Sequence, residues 1–369
     1  MRDELSALAG RSVLVTGHTG FKGSWLALWL HRLGAEVTGY ALDPSTTPNH
    51  FDASNIADAL VEDVRGDIRD AERLEGVFRR MEPEVVFHLA AQPIVRTSLV
   101  DPRETFDVNV VGTASVLDAV REIDSPCAVV VVTSDKCYQN EGNVWGFREI
   151  DPLGGRDPYS ASKAGAEMVV ESYRSSFFSP NRIAEHGIRL ASGRAGNVIG
   201  GGDWAPDRIV PDAMRALADG SMLMVRNPRS TRPWQHVLEP LSGYLALATK
   251  LLMDESPAKW AEAWNFGPLV DGEATVAALA DALTEAWGSG SWITSPLDSD
   301  HVEAKTLRIA IDKAIALLGW EPQWDLDETV SRTVGWYKEY YEGVSASMQN
   351  RSLDDIEAYM QAAAPRRTA

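Results

Sequence analysis

One passage constrains this chain more than any other. Residues 12–16 form a short apolar run that breaks into Gly17, Gly20 and Gly23, and residues 21–33 then carry apolar side chains at helical spacing. The passage reads as strand, tight turn and helix. Glycine in such a turn permits positive φ and lets backbone N–H groups approach an anion at the positive end of the helix dipole. The pattern recurs downstream: residues 36–40, 85–89 and 128–133 read as buried strands, and 70–80 and 105–121 as helices. A further helix and strand follow at 159–178 and 188–191. This alternation predicts an α/β fold, a doubly wound parallel Rossmann sheet.

After Asn197 the texture changes to shorter elements, many prolines and several tryptophans, which predicts a smaller α/β substrate lobe. Residues 1–196 are assigned to the first lobe, and the helical pattern at 237–252 brings about 233–256 back to it. The smaller lobe takes 197–232 and 257–345. Residues 346–369 supply a C-terminal helix begun by Ser352 and a mobile polar tail, APRRTA.

Composition narrows the partners. A formal net charge of −18 repels nucleic acid and acidic membrane surfaces, so an anionic ligand needs a local basic cluster. Two cysteines, Cys127 and Cys137, give no disulfide framework, no metal-ligand spacing stands out, and no run reaches the ~18 apolar residues of a membrane span. A cytoplasmic setting is expected.

The glycine turn places Gly17, Gly20, Phe21, Lys22 and Gly23 at a dinucleotide pyrophosphate. Asp43 follows the second strand, where a carboxylate accepts hydrogen bonds from ribose hydroxyls and repels a 2′-phosphate, which favours NAD over NADP. Tyr159 and Lys163 stand four apart on one helix face, the arrangement by which a cation favours phenolate in a group that otherwise ionises near pH ~10. Ser134 follows the strand at 128–133, pointing a hydroxyl into the ligand crevice.

Gly17-His18-Thr19-Gly20-Phe21-Lys22-Gly23, Gly66-Asp67-Ile68-Arg69-Asp70 and His88-Leu89-Ala90-Ala91-Gln92 together resemble the extended short-chain dehydrogenase/reductase superfamily. That resemblance implies that Asp67, Ile68, Leu89, Ala90 and Ala91 line NAD, with Tyr159 and Lys163 beside it. Within the superfamily, an acid after Ser134 is a feature of nucleotide-sugar 4,6-dehydratases, and Asp135 matches it. Lys136 departs from the usual Glu, which leaves open the base for the sugar's position-5 proton. The longer motifs HTGFKGSWL, TSDKCY, DPLGGRDPYSASK, RAGNVIGGGDWA and RPWQHVLEPLSGY resemble the CDP-glucose branch of these dehydratases, where lysine occupies that place. Gly193 stands where a larger apolar residue is common.

The likeness implies Asn197 and Arg232, with Arg208 as second choice, for a substrate diphosphate. Arg232 shares a basic stretch with Arg226 and Arg229. The implied reaction is dehydration of CDP-glucose to its 4-keto-6-deoxy product by Ser134, Asp135, Lys136, Tyr159 and Lys163. A nucleotide-sugar 4-epimerase and a non-catalytic NAD-binding regulator remain as alternatives. The helices at 105–121 and 159–178 are the pair that superfamily members pack into a homodimer.

Overall fold

The computed structural model of the protein describes residues 2–269, 273–295 and 307–363; the tail 364–369 lies outside them. Its centre is a sheet of seven parallel strands. In chain order these are β1 (Ser12–Thr16), β2 (Glu36–Ala41), β3 (Glu62–Arg65), β4 (Val85–His88), β5 (Cys127–Val132), β6 (Ile188–Arg194) and an edge strand, Ala263–Asn265. From that edge inward the spatial order is β6, β5, β4, β1, β2, β3. The order reverses direction between β1 and β4, and the carboxyl ends of those strands open the crevice where ligands bind in such sheets.

β5 shows why the centre of the sheet holds. All six of its residues are buried, as a strand covered by helices on both faces requires. Helices Ala71–Met81, Gly112–Arg121 and Pro158–Ser176 back one face, packing Leu74, Phe78, Val116, Leu117 and Val170 against Val129 and Val131. Helices Phe21–Arg32 and Leu238–Met253 cover the other, with Trp25, Leu28 and Leu241 against Val13, Val15 and Val130.

The structure corrects the expected boundaries in two places. Ala263–Asn265, assigned to the smaller lobe, pairs with β6 in the main sheet. The C-terminal helix spans Gln349–Ala362, so Ser352 does not begin it. Ser352 is buried inside the helix, where its hydroxyl lies 3.0 Å from His50 Nε2 and accepts from Trp336 Nε1 at 3.0 Å. Tyr359 of the same helix meets Trp29, so this helix lies against helix Phe21–Arg32. Gly193 has a packing reason: a Cβ there would stand 2.6 Å from the Tyr244 ring.

Candidate active site

The glycine turn follows β1 as expected, and its glycines differ in what demands them. A Cβ on Gly17, at φ +75°, would meet the Ala90 backbone at 2.6 Å, and one on Gly23 would meet the Gly17 carbonyl at 2.1 Å. These two glycines let the turn close on itself and on the loop after β4. Gly20 has ordinary φ, and a Cβ there would meet only the Gly17 oxygen at 3.3 Å. No side chain caps helix Phe21–Arg32, so its first N–H groups have no side-chain partner. An uncapped N-terminus beside an open glycine fits a dinucleotide pyrophosphate.

Around that turn the expected cofactor residues divide. Leu89, Ala90 and Ala91 are half-buried after β4, and the Ala90 N–H donates to Thr16 Oγ1. Asp43 is 88% exposed and 3.5 Å from Arg65, free to turn toward a ribose. Asp67 is paired with Arg69 at 2.6 Å, whose hydrogen bonds hold its carboxyl below the usual range. Ile68 is buried, its side chain packed where a Cβ on Gly112 would stand 2.5 Å away.

Helix Pro158–Ser176, which carries Tyr159 and Lys163, starts where the sequence makes it start. Asp157 caps it by accepting from Ser160 N at 2.9 Å, and Pro158 sits at its first position. Tyr159 and Lys163 are both buried on this helix, with Tyr159 turned to the Ser134 hydroxyl that ends β5. Burial pushes Tyr159 up to about 12, against the Ser134 hydrogen bond and the charge of Arg208, which pull it down. Burial lowers Lys163 to about 8, with Glu167 opposing. Such a phenol acts as a base at neutral pH once further positive charge arrives with the ligands.

Asp135 and Lys136 follow Ser134 on a single 3-10 turn, Asp135–Cys137. Ser134 Oγ donates to Asp135 Oδ1 at 3.0 Å and accepts from the Lys136 N–H at 3.2 Å. Asp135 is buried, and Asn197 Nδ2 donates to its other oxygen at 3.1 Å. A Cβ on Gly196 would stand 2.0 Å from that carboxylate, so the glycine makes its room. Asn197, expected at a diphosphate, therefore also touches the acid.

Two basic groups, Lys22 and Arg208, face this centre. Lys22 is lowered to about 7 by burial; Asp135 opposes the shift, and Lys163 and Arg208 add to it. Arg208 is paired with Asp203 at 2.8 Å. Arg232 is buried on strand Thr231–Pro233, while Arg226 is tied to Asp207 at 2.8 Å and Arg229 is exposed.

Sequence reasoning missed the supports. Asn109 sits in a π-turn, Asp107–Val111, and donates to Ser162 Oγ at 2.8 Å, while Ser162 donates to the Tyr159 carbonyl at 2.7 Å. Ser98 Oγ accepts the Tyr159 N–H at 3.1 Å. It missed Glu167 too, although a glutamate one turn beyond Lys163 on an inward face was a visible signal.

Residues 14–333 match the family described as GDP-mannose 4,6 dehydratase. The chain is 49% identical to the CDP-glucose 4,6-dehydratase of Salmonella typhimurium (strain LT2) over 354 residues, 96% of this chain and 97% of that one. Its fold is similar to that of the epimerase Mth375 of Methanothermobacter thermautotrophicus, with a TM-score of 0.77 and 26% identity, covering 93% of this chain and 96% of that one. It is also similar to DesIV, a dTDP-glucose 4,6-dehydratase of Streptomyces venezuelae with NAD and TYD bound, at 0.73 and 26%, covering 90% and 99%. The matched span holds both the glycine turn and the Tyr159–Lys163 helix, and the chain belongs to the GDP-mannose 4,6 dehydratase family of the extended short-chain dehydrogenases/reductases.

Proposed function

We propose that the protein dehydrates CDP-glucose to CDP-4-keto-6-deoxyglucose and water with tightly held NAD. The observation that carries this reading is a carboxyl, Asp135, next to Ser134 at the end of β5 and in reach of the same centre as Tyr159. A 4-epimerase needs the tyrosine and cofactor but has no use for that acid. The identity to the Salmonella CDP-glucose enzyme supports the choice of nucleotide.

Bound NAD supplies a two-electron acceptor that becomes the donor later in the same turnover. Tyr159, oriented by Ser134, takes the proton of the sugar's 4-hydroxyl as carbon 4 is oxidised to a ketone. That ketone acidifies position 5, and Lys136 is the group assigned to remove the proton there. Asp135 delivers a proton to the 6-hydroxyl, the carbon 6–oxygen bond breaks, and water leaves a double bond between carbons 5 and 6. Carbon 6 is then reduced, carbon 5 regains a proton, and the ketone at 4 remains.

Arg232, Arg208 and Asn197 hold the diphosphate in this reading, and Asp43 selects NAD by repelling a 2′-phosphate. The nucleotide-sugar lobe consists of 197–232 and 257–345 less the edge strand. Phe106, Val111 and Met168 are exposed apolar residues on 102–121 and 158–176, which supports a homodimer through those helices. Among the described residues no helix is long and apolar enough to cross a membrane, and the two free cysteines suit a reducing cytoplasm.

The test compares CDP-, dTDP-, UDP- and GDP-glucose by kcat/KM for water loss. CDP-glucose is expected to exceed the others by at least about tenfold, and Asp135→Asn to slow water loss by about 10²–10⁴-fold. Equal rates for all four would overturn the nucleotide assignment. An unchanged Asp135→Asn rate would overturn its role as acid.

A further inference from the structure

Beneath the reacting groups lies a buried ion pair that none of these steps uses. Glu167 stands one turn after Lys163 on the catalytic helix, and Arg194 ends β6. Their side chains are 1% and 5% exposed and 2.8 Å apart. Glu167 Oε1 accepts from the Thr133 hydroxyl, and Oε2 accepts from Ser192 Oγ at 2.9 Å as well as from Arg194. Arg194 Nη1 donates to the Tyr138 hydroxyl oxygen at 2.8 Å and to the Glu149 carbonyl at 3.1 Å, and its guanidinium lies 5.0 Å from the centre of the Tyr138 ring. The Tyr138 hydroxyl donates in turn to Asn265 Oδ1 at 2.7 Å on the edge strand. Asn265 Nδ2 then reaches the carbonyls of Phe147 and Ala310 at 2.9 and 3.0 Å.

Thr133 and Tyr138 are the residues that bracket Ser134, Asp135, Lys136 and Cys137. Both ends of the turn that carries the acid and the base are thus fastened to one pair, whose glutamate belongs to the helix that carries Tyr159 and Lys163 and whose arginine ends β6. A buried ion pair adds little net stability over apolar residues of the same volume, but a fully satisfied one fixes geometry. Here it fixes the distance between two sets of reacting groups. Oxidation at position 4 depends on Tyr159 of the helix with Ser134 alone from the turn, whereas elimination across positions 5 and 6 depends on two turn residues, Asp135 and Lys136. A misplacement of about 1 Å costs such chemistry up to about a hundredfold.

We propose that the Glu167–Arg194 pair is a positioning device that seats the Ser134–Cys137 turn against the catalytic helix, so that loosening it slows elimination more than oxidation. The proposal rests on the dehydratase reading. Tyr138→Phe and Thr133→Val each cut one fastening with near-constant shape and leave the ion pair in place. Glu167→Gln removes the charge. Each variant is compared with the parent on CDP-glucose bearing deuterium at position 4 or at position 5, together with its melting temperature.

For Tyr138→Phe and Thr133→Val, kcat is expected to fall about tenfold to a hundredfold, with KM nearly unchanged. The isotope effect should grow at position 5 and shrink at position 4, a redistribution that loss of folded protein cannot produce. Glu167→Gln, where it folds, should show the same redistribution more strongly. Variants that melt lower yet keep the parent's kcat and isotope effects would overturn the proposal, as would an equal slowing of both steps. A parent that releases no water from any nucleotide sugar would overturn the dehydratase reading and this proposal together.

Discussion

Glu167 and Glu239 are both enclosed glutamates on long helices, and the protein holds them in opposite states. Burial opposes ionisation at each. At Glu167 the charge and hydrogen bonds of Arg194, with Thr133 and Ser192, outweigh burial and keep the carboxyl below its usual range. At Glu239, on helix Leu238–Met253, burial wins and pushes the carboxyl up to about 7. Its donors are the Tyr359 hydroxyl and the backbone N–H groups of Gln323 and Trp324, all neutral. The difference is one guanidinium. The charged glutamate lies under the reacting centre, where fixed geometry matters; the one held near neutrality fastens the C-terminal helix to the body, where close packing is enough.

The comparison breaks most visibly if the guanidinium is removed. Arg194→Met leaves the Glu167 carboxylate enclosed without a charged partner, and urea unfolding at pH 7 should show a loss of about 3–5 kcal/mol. A loss below about 1 kcal/mol would mean that Thr133 and Ser192 suffice and that the cation does not set the contrast.

Titration sharpens it. Because the folded pKa of Glu239 is raised, its contribution is fully present below the unfolded value and is lost as pH rises toward and through about 7. The loss is on the order of 3 kcal/mol by pH 8. Glu239→Gln keeps an acceptor for the backbone N–H groups and cannot ionise. Relative to the parent, its melting temperature should therefore rise steadily from pH 5 to pH 8. Taking the difference between the two proteins cancels Asp355, which burial raises to about 6, and His50, His88 and His236, which burial lowers to about 3. A difference that stays flat over this range would show that Glu239 is ionised throughout.

The smallest effect comes from one neutral donor. Tyr359→Phe removes a single hydrogen bond to Glu239 and should cost about 1 kcal/mol at pH 5. It should cost more at pH 8, where the acceptor is charged. Equal losses at both pH values would separate Tyr359 from the titration of Glu239.

How much of this was legible in the sequence follows from the range of each interaction. β5 and the catalytic helix announce themselves, because an all-apolar run and a capped periodic segment are local patterns. β3, with the sequence EDVR, could not be seen: it is an outer strand only half covered, so three of its four residues are charged. The edge strand Ala263–Asn265 is three residues long and exists only because β6 offers a free edge. Motif likeness named Ile68 as a cofactor contact, and its packing over Gly112 was not legible in the sequence. Asp135 and Lys136 were readable from their place after Ser134. The Glu167–Arg194 pair and the amide of Asn197 on Asp135 join residues 27 and 62 apart, and only the assembled sheet brings them together.

The central claim is that the chain removes water from a nucleotide sugar through proton loss at position 5. Incubating the purified protein with CDP-glucose in heavy water, and measuring product mass and the position of any label, tests it most directly. The account predicts a product that has lost one water and carries deuterium at carbon 5, where a solvent-derived proton returns after carbon 6 is reduced. A product of unchanged mass with inverted configuration at carbon 4 and no deuterium on carbon would show an epimerase and contradict the account.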